Sequence, residues 1–330
     1  MEHLDPLPPL RRTVPPDRNG IADRASSSPT SALCVAVVGS SGFLGGAVLD
    51  ALLNMGVTCT SIARRPPASS GPSMRVVAAD LLDVESLTDA LAGVDAIVHA
   101  ASYTGSDAAR CEEVNAVGTE NLVTAAARHG IGRIVYLSTI GVYGPGPHRN
   151  VVEGELVPAP VTALSASRLT AENHVREHGG LVLRPGFVHG PGDRWFLPGL
   201  AHIVSTLGAW VDDGVARQSV ISRRDVGRLA AAITARPLPA ALRGGIRHLA
   251  HPTAVTVREL VHAAAARGLL APPTHSVDFE QALRRGRERG LSARHIDLIG
   301  HDHHYVSARI WAEAALEPSP DPIPADPTSR

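Results

Sequence analysis

Three glycines supply the first chemistry. Gly39-Ser40-Ser41-Gly42-Phe43-Leu44-Gly45 follows a short apolar run, 34–38, and opens a stretch, 45–55, whose apolar residues recur at helical spacing. In such a strand–loop–helix setting the first glycine allows a tight turn, and the second lets the backbone approach a pyrophosphate. The third lets helix and strand pack closely. The helix N-terminus adds N–H groups and a dipole that favour phosphate. The segment is a candidate dinucleotide seat, with Ser41, Phe43 and Leu44 inside it. One β-α unit later, an NAD-binding chain would place an acid on the ribose 2′-hydroxyl. This chain has Arg64-Arg65 there, after Ser61-Ile62-Ala63. Two guanidiniums can pair with a 2′-phosphate, so NADP(H) is expected in preference to NAD(H).

The elements that position this loop follow from hydrophobic spacing. Short branched runs at 34–38, 57–63, 74–79, 95–101, 133–138 and 181–184 predict strands, and 45–55, 84–91, 107–129 and 165–177 predict helices. Such alternation demands right-handed crossovers, so the expected fold class is α/β, a doubly wound parallel sheet (Rossmann) with a smaller C-terminal substrate lobe. Further helices are expected near 198–208, 224–235, 256–267 and 278–289. The domain boundaries follow. Residues 1–31, rich in proline and serine, predict a disordered arm. The dinucleotide-binding domain takes mainly 32–190, and the lobe, with late Rossmann elements, mainly 191–316. A proline-rich tail over 317–330 is expected to be disordered like the arm.

Composition narrows the function. The chain has 330 residues and a net charge of -1, which offers no field for nucleic acid or an anionic membrane. All 31 basic residues are arginine, which removes Schiff-base chemistry and any lysine acid or base. Three cysteines, Cys34, Cys59 and Cys111, form no disulfide framework and suit a reducing cytoplasm. No apolar run approaches a membrane span, and 1–31 lacks the apolar core of a signal peptide.

The runs VAVVGSSGFLGGAVLDALL, AADLLD, VDAIVHAAS, VNAVGTENLVTAA, RIVYLSTIGVYG and LVLRPGFVHGPGD occur in that order. Over about residues 33–260 the chain resembles the extended short-chain dehydrogenase/reductases of the NAD-dependent epimerase/dehydratase type. The resemblance implies that Asp80 and Leu81 bracket the adenine and that Ala100, Ala101 and Ser102 run along the cofactor. It places Asn115 near the active site, Thr139 at the catalytic Ser/Thr with Ser138 beside it, and Pro185, Gly186 and Val188 against the nicotinamide. Helices over 107–129 and 165–177 make dimer contacts in that family, so a monomer or a homodimer is expected.

One departure dominates. The family carries Tyr-x-x-x-Lys on a helix, where the lysine grips the ribose and lowers the tyrosine pKa for proton exchange. Here Leu164 stands at the tyrosine position and Arg168 at the lysine position. Leucine has no proton to give; arginine can hold ribose hydroxyls but is a poor acid. Three routes then deliver the proton that a reduced ketone needs. Tyr103, Tyr143, His148 or His189 could serve; Thr139 or Ser138 could donate with water behind it; or the substrate could carry its own acid. A ketone beside a phenol already has an internal O–H bond to its carbonyl. The third route is preferred, with Thr139 assisting.

A reductase lacking this tyrosine resembles the atypical ketoreductases that tailor bacterial aromatic polyketides, angucyclinones among them, in antibiotic biosynthesis. The lobe suits a planar aromatic ketone, since Trp195, Phe196 and Trp210 gather scarce aromatics there, with Tyr103 and Tyr143 nearer the cofactor. His295, His301, His303 and His304 show no metal-ligand spacing, and no metal is expected. Two rival readings stay open: a nucleotide-sugar 4-ketoreductase or epimerase, and a non-catalytic NADP(H)-binding sensor.

Overall fold

The computed structural model describes residues 32–65 and 71–324. The expected N-terminal arm, 1–31, lies outside them. The first half alternates as β1 (Cys34–Val38), α1 (Phe43–Asn54), β2 (Thr58–Ala63), β3 (Met74–Ala78), α2 (Val84–Ala90) and β4 (Ala96–His99). One helical run follows: α3 (Ala108–Cys111), a π-helical turn over Glu112–Val117, and α4 (Gly118–Arg128). Then come β5 (Ile134–Leu137), β6 (His148–Val151), α5 (Ala163–Glu177), β7 (Leu181–Pro185) and β8 (Phe187–His189). The second half holds α6 (Phe196–Leu207), β9 (Trp210–Val211), β10 (Arg217–Gln218), β11 (Val220–Ser222), α7 (Arg223–Thr234), β12 (Ile246–Leu249) and β13 (Val255–Thr256). It closes with α8 (Val257–Ala266), β14 (Ser276–Val277), α9 (Phe279–Glu288), α10 (Ala293–Gly300), β15 (His303–Tyr305) and α11 (Ala308–Ala314).

Seven strands form one parallel sheet in the order β12-β7-β5-β4-β1-β2-β3. Its strands are short and apolar because helices cover both faces. Val48, Leu52, Leu229 and Trp311 bring α1, α7 and α11 onto one face; Leu87, Leu122 and Val175 bring α2, α4 and α5 onto the other. The doubly wound Rossmann architecture is the one the spacing predicts. Strand order reverses between β1 and β4, and the crevice above that reversal is where such sheets hold ligands. The lobe has its own core, with Leu200, Val204, Leu260 and Ile296 packed together. A small sheet, β13-β10-β15-β6, ties it back to the loop after β5.

The structure adds what hydropathy hides. The seventh strand, β12, contains Arg247 and His248, so it does not look like a buried run. Both are buried because each has a partner: Arg247 pairs with Glu313 at 2.7 Å and His248 with Tyr143 at 2.7 Å. The proline-rich end, expected to be disordered from Glu317, lies against the body as far as 324. Its carbonyls are taken up by side chains: His189 meets Pro322 O at 2.7 Å and His251 meets Ser319 O at 2.9 Å, while Ile323 is buried in the lobe core. Among the described residues no helix is long and apolar enough to cross a membrane.

Candidate active site

The glycine loop is built as its spacing requires. Gly39 has φ +85°, and a Cβ there would fall 2.6 Å from Ala101 N. A Cβ on Gly45 would fall 2.1 Å from Gly39 O, so only hydrogen lets α1 sit this close to the loop. Gly42 caps α1 without a side chain, which leaves the first-turn N–H groups beyond it for a ligand. Ser41 is exposed on the loop. A buried bond from Ser40 Oγ to Ser61 Oγ, 2.7 Å, locks the loop to β2. Arg223 Nε donates to Phe43 O at 2.5 Å, which pins α7 beside the same helix end.

Around this seat the other residues fall on either side of the crevice. Arg64 and Arg65 are exposed just past the end of β2. Asp80 Oδ1 accepts from Leu82 N at 3.0 Å, shaping the turn after β3, and Leu81 is buried under Gly118. Ala100 N bonds Val38 O at 2.9 Å and so carries 100–102 across the top of β1. Asn115 sits in the π-helical turn, which swings its amide inward. It accepts from Ser102 Oγ at 3.0 Å and Tyr103 N at 2.7 Å, and donates to Ser167 Oγ at 3.0 Å. Arg168 Nε donates to Ser102 Oγ at 3.1 Å and its Nη1 to Ser138 O at 3.3 Å. Arg168 and Ser102 thus meet where the helix α5 faces the crevice.

Thr139 caps a short 3-10 turn, and its Oγ1 accepts from Gly141 N at 3.0 Å. That leaves its O–H free to donate into a cavity of about 130 Å³. Gly186, Ser165, Phe187, Asp297 and His303 share the cavity wall. Ser138, expected to act beside Thr139, points the other way. Its Oγ donates to Glu172 Oε1 at 2.5 Å in the core, where Glu172 also pairs with Arg184. Leu164 occupies the first turn of α5, whose N-cap Thr162 accepts from Ser165 N at 3.1 Å. The tyrosine position is therefore helical and aliphatic. Val188 lies in β8, half-buried next to Gly186 and Phe187, and Pro185 ends β7.

Most of the other expected proton donors are tied up. Tyr143 is buried, with its hydroxyl on His248 and the Arg184 guanidinium 4.7 Å above its ring. Burial pushes the Tyr143 pKa up, against the pull of Arg184. His148 is buried against Tyr305 at 2.6 Å, and its pKa is lowered, first by burial and then by His303. His189 is spent on Pro322 O. Tyr103 folds over Gly105. Of the three lobe aromatics, Phe196 stacks on the cavity residue Phe187 at 4.9 Å. Trp195 is 71% exposed. Trp210, expected to face substrate, instead lies in the lobe core with its indole N–H on Pro273 O at 2.8 Å. An indole can be buried once its single donor is met.

On the cavity's lobe side, His301 and His303 show no metal-ligand spacing in the sequence but converge on Asp297, which carries no sequence signal of its own. Asp297 Oδ1 accepts from His301 Nδ1 at 2.7 Å, and Oδ2 accepts from Gly146 N at 3.2 Å. Burial works to raise the Asp297 pKa, but the His303 ring close by and the hydrogen bonds from His301 and Gly146 N outweigh it and hold the value at about 2. Among the described residues no group of His, Cys, Asp and Glu is placed to hold a metal ion.

The NAD dependent epimerase/dehydratase family model matches residues 35–223, and the chain belongs to that family. It is 33% identical over 184 residues to 2-alkyl-3-oxoalkanoate reductase of Stenotrophomonas maltophilia, covering 51% of this chain and 54% of that protein. It is 32% identical over 191 residues to the 4-hydroxy-2-methyl-3-oxo-4-farnesyl-3,4-dihydroquinoline-1-oxide ketoreductase of Stigmatella aurantiaca, covering 54% and 57%. The chain spans about half the length of the curated relatives it matches. Among solved structures, MoeE5 in complex with UDP-glucuronic acid and NAD superposes with a TM-score of 0.66 at 23% identity, covering 88% of this chain and 94% of that one. A short-chain dehydrogenase/reductase superfamily protein from Agrobacterium tumefaciens with bound NAD gives 0.67 at 23%, covering 87% and 92%. These likenesses concern the fold.

The dinucleotide that the family name implies fits the residues present. Gly39 and Gly45 let the loop and α1 close up with no side chain between them, and the uncapped end of α1 offers its N–H donors at the loop.

Proposed function

We propose that the chain is an NADPH-dependent ketoreductase that reduces a ketone of an aromatic polyketide of the angucyclinone type. The observation that carries the reading is a Thr139 hydroxyl free to donate into the cavity, while the tyrosine position, Leu164 in the first turn of α5, is aliphatic. The two reductases among its relatives support the reaction class. Phe187 stacked on Phe196 gives the cavity an aromatic wall suited to a flat ring.

Gly39, Gly42 and Gly45 with the first turn of α1 would hold the pyrophosphate, Arg64 and Arg65 the 2′-phosphate, and Arg168 with Ser102 the nicotinamide ribose. Bound there, the dinucleotide supplies hydride. Thr139 donates its O–H to the substrate carbonyl oxygen and holds the carbonyl in place. As the carbonyl carbon gains hydrogen, its π electrons pass to oxygen. The phenol beside the ketone then breaks its O–H bond and protonates that oxygen, leaving a phenolate that water reprotonates. Proximity replaces the missing tyrosine.

Absorbance at the nicotinamide band tests this, with purified protein, NADPH, 8-hydroxy-1-tetralone and its methyl ether. Oxidation of NADPH by the phenol and not by the ether is expected. Binding of NADPH without oxidation by any aromatic or sugar ketone overturns the reading in favour of a sensor.

A further inference from the structure

We propose that His303, oriented by Asp297, accepts a ring hydroxyl of the substrate on the lobe side of the cavity and so sets the preference for polyhydroxylated aromatic ketones. The inference deepens the ketoreductase reading and takes from it the class of ligand. The hydroxyl concerned is a second one, separate from the phenol that protonates the reduced ketone.

The backbone of His303 is fixed. It opposes Gln218 of β10 and His148 of β6, so β15 delivers its side chain from the middle of the small sheet. The side chain is 5% exposed, yet it lines the same cavity as Thr139. His148 and Phe187 meet it edge-on, at 5.4 Å and 6.2 Å between ring centres, and restrict its rotation.

Neither ring nitrogen of His303 has a well-formed hydrogen bond. Nε2 is buried and lies 3.3 Å from Asp297 Oδ2, but off axis. Nδ1 has no partner among the described residues. Nδ1 is not fully closed off, unlike Nε2, so it is the ring nitrogen left for a ligand in the cavity. The neighbouring carboxylate favours the proton on Nε2, which leaves Nδ1 as an acceptor. An acceptor in an aromatic-walled cavity calls for an O–H on a flat ring. Asp297 is itself anchored by His301 and Gly146 N, so the pair is held on both sides of the cavity rim.

The test is a double comparison of ligand and side chain, read by binding. Dissociation constants are measured by titration in the presence of NADP+ for 8-hydroxy-1-tetralone, 5,8-dihydroxy-1-tetralone and 6,8-dihydroxy-1-tetralone. One dihydroxy ketone is expected to bind wild-type protein about tenfold more tightly than the monohydroxy ketone, the gain of one buried hydrogen bond. His303→Leu is expected to erase that difference while leaving the monohydroxy ketone within about twofold. His303→Gln, which keeps an acceptor, should retain part of it. If His303→Leu does not fold, Asp297→Asn gives the second reading, and should reduce the difference without removing the ring. Equal binding of all three ketones to wild type, or a difference that survives in the variants, overturns the proposal. Because the readout is binding, it stands apart from turnover: absence of NADPH oxidation would remove the ketoreductase reading and leave the His303 result intact.

Discussion

Ser138 Oγ donates to Glu172 Oε1 at 2.5 Å, inside the core and away from the cavity that its neighbour Thr139 faces. The two hydroxyls leave the end of β5 on opposite sides, as successive strand residues do. One is tied into the core and the other opens on the cavity. Glu172 also binds Arg184, and the pair is almost fully enclosed, with side-chain exposures of 0% and 3%. Glu172→Gln would leave the Arg184 guanidinium buried without its counter-charge. A loss of about 3–5 kcal/mol is expected, read as a lower urea midpoint at unchanged slope. A shift under about 1 kcal/mol would mean that the guanidinium finds water or another partner.

Gly45 offers a sharper test of the seat. Its α-hydrogen faces Gly39 O, where a methyl group would sit 2.1 Å away. Gly45→Ala must push α1 off the loop and with it the N–H groups proposed to hold the phosphates. Dinucleotide affinity should fall by at least about tenfold, measured by quenching of protein fluorescence on titration with NADPH. Unchanged affinity in a folded variant would place the phosphates elsewhere.

The legibility of this chain was uneven for physical reasons. Fully buried parallel strands and long amphipathic helices depend on local apolar spacing, so the central sheet could be read from runs such as 34–38 and 133–138. Strands of two or three residues, such as β10 and β15, exist only through their pairing and leave no periodic trace. The cavity wall had the same difficulty: nothing in the sequence links Asp297 and His303 to Thr139, over 150 positions earlier. Ser138 was recoverable, because strand alternation separates it from Thr139. Aromatic scarcity points Trp210 toward substrate, but scarcity does not distinguish a core residue from a stacking one.

The proposed preference for NADPH rests on the two arginines past β2. Arg64 and Arg65 are exposed and have no acid beside them at the strand end. The double variant Arg64→Ala, Arg65→Ala should raise the NADPH dissociation constant by about tenfold or more and leave that of NADH within about twofold. Equal losses for both dinucleotides would show that the arginines do not select the 2′-phosphate.

Stability should fall on mild acidification. Burial lowers the His248 pKa to about 4 and the His99 pKa to about 3, from 6.5, and Arg184 and Arg168 respectively add to the effect. Each ring stays neutral in the fold but takes up a proton when unfolded below its ordinary value. Their contribution is complete above about pH 6.5 and drains away as pH falls toward 4 and then 3. Two protons bound on unfolding correspond to about 2–3 kcal/mol per pH unit near pH 5. Urea melts at pH 7.5 and 5 measure this, and His99→Phe should cut the slope by one proton's share, about 1.4 kcal/mol per pH unit. A flat profile would show that these rings are solvated in the native protein.

The most direct prediction concerns Thr139. If its hydroxyl were the main donor to the developing alkoxide, removing it would cost about 3–4 kcal/mol, or roughly 100- to 1,000-fold in rate. If the substrate phenol carries that charge, the loss is smaller, because an internal O–H already bonds the carbonyl and only the positioning contact is gone. Thr139→Ala should therefore lower kcat on 8-hydroxy-1-tetralone by less than about tenfold. On the methyl ether, wild type and variant should both be inactive. Single-turnover rates with saturating NADPH make the comparison, since they isolate the chemical step from product release. A thousandfold loss on the phenol, or clear wild-type turnover of the ether, would return the proton to the protein and point to Thr139 with water behind it.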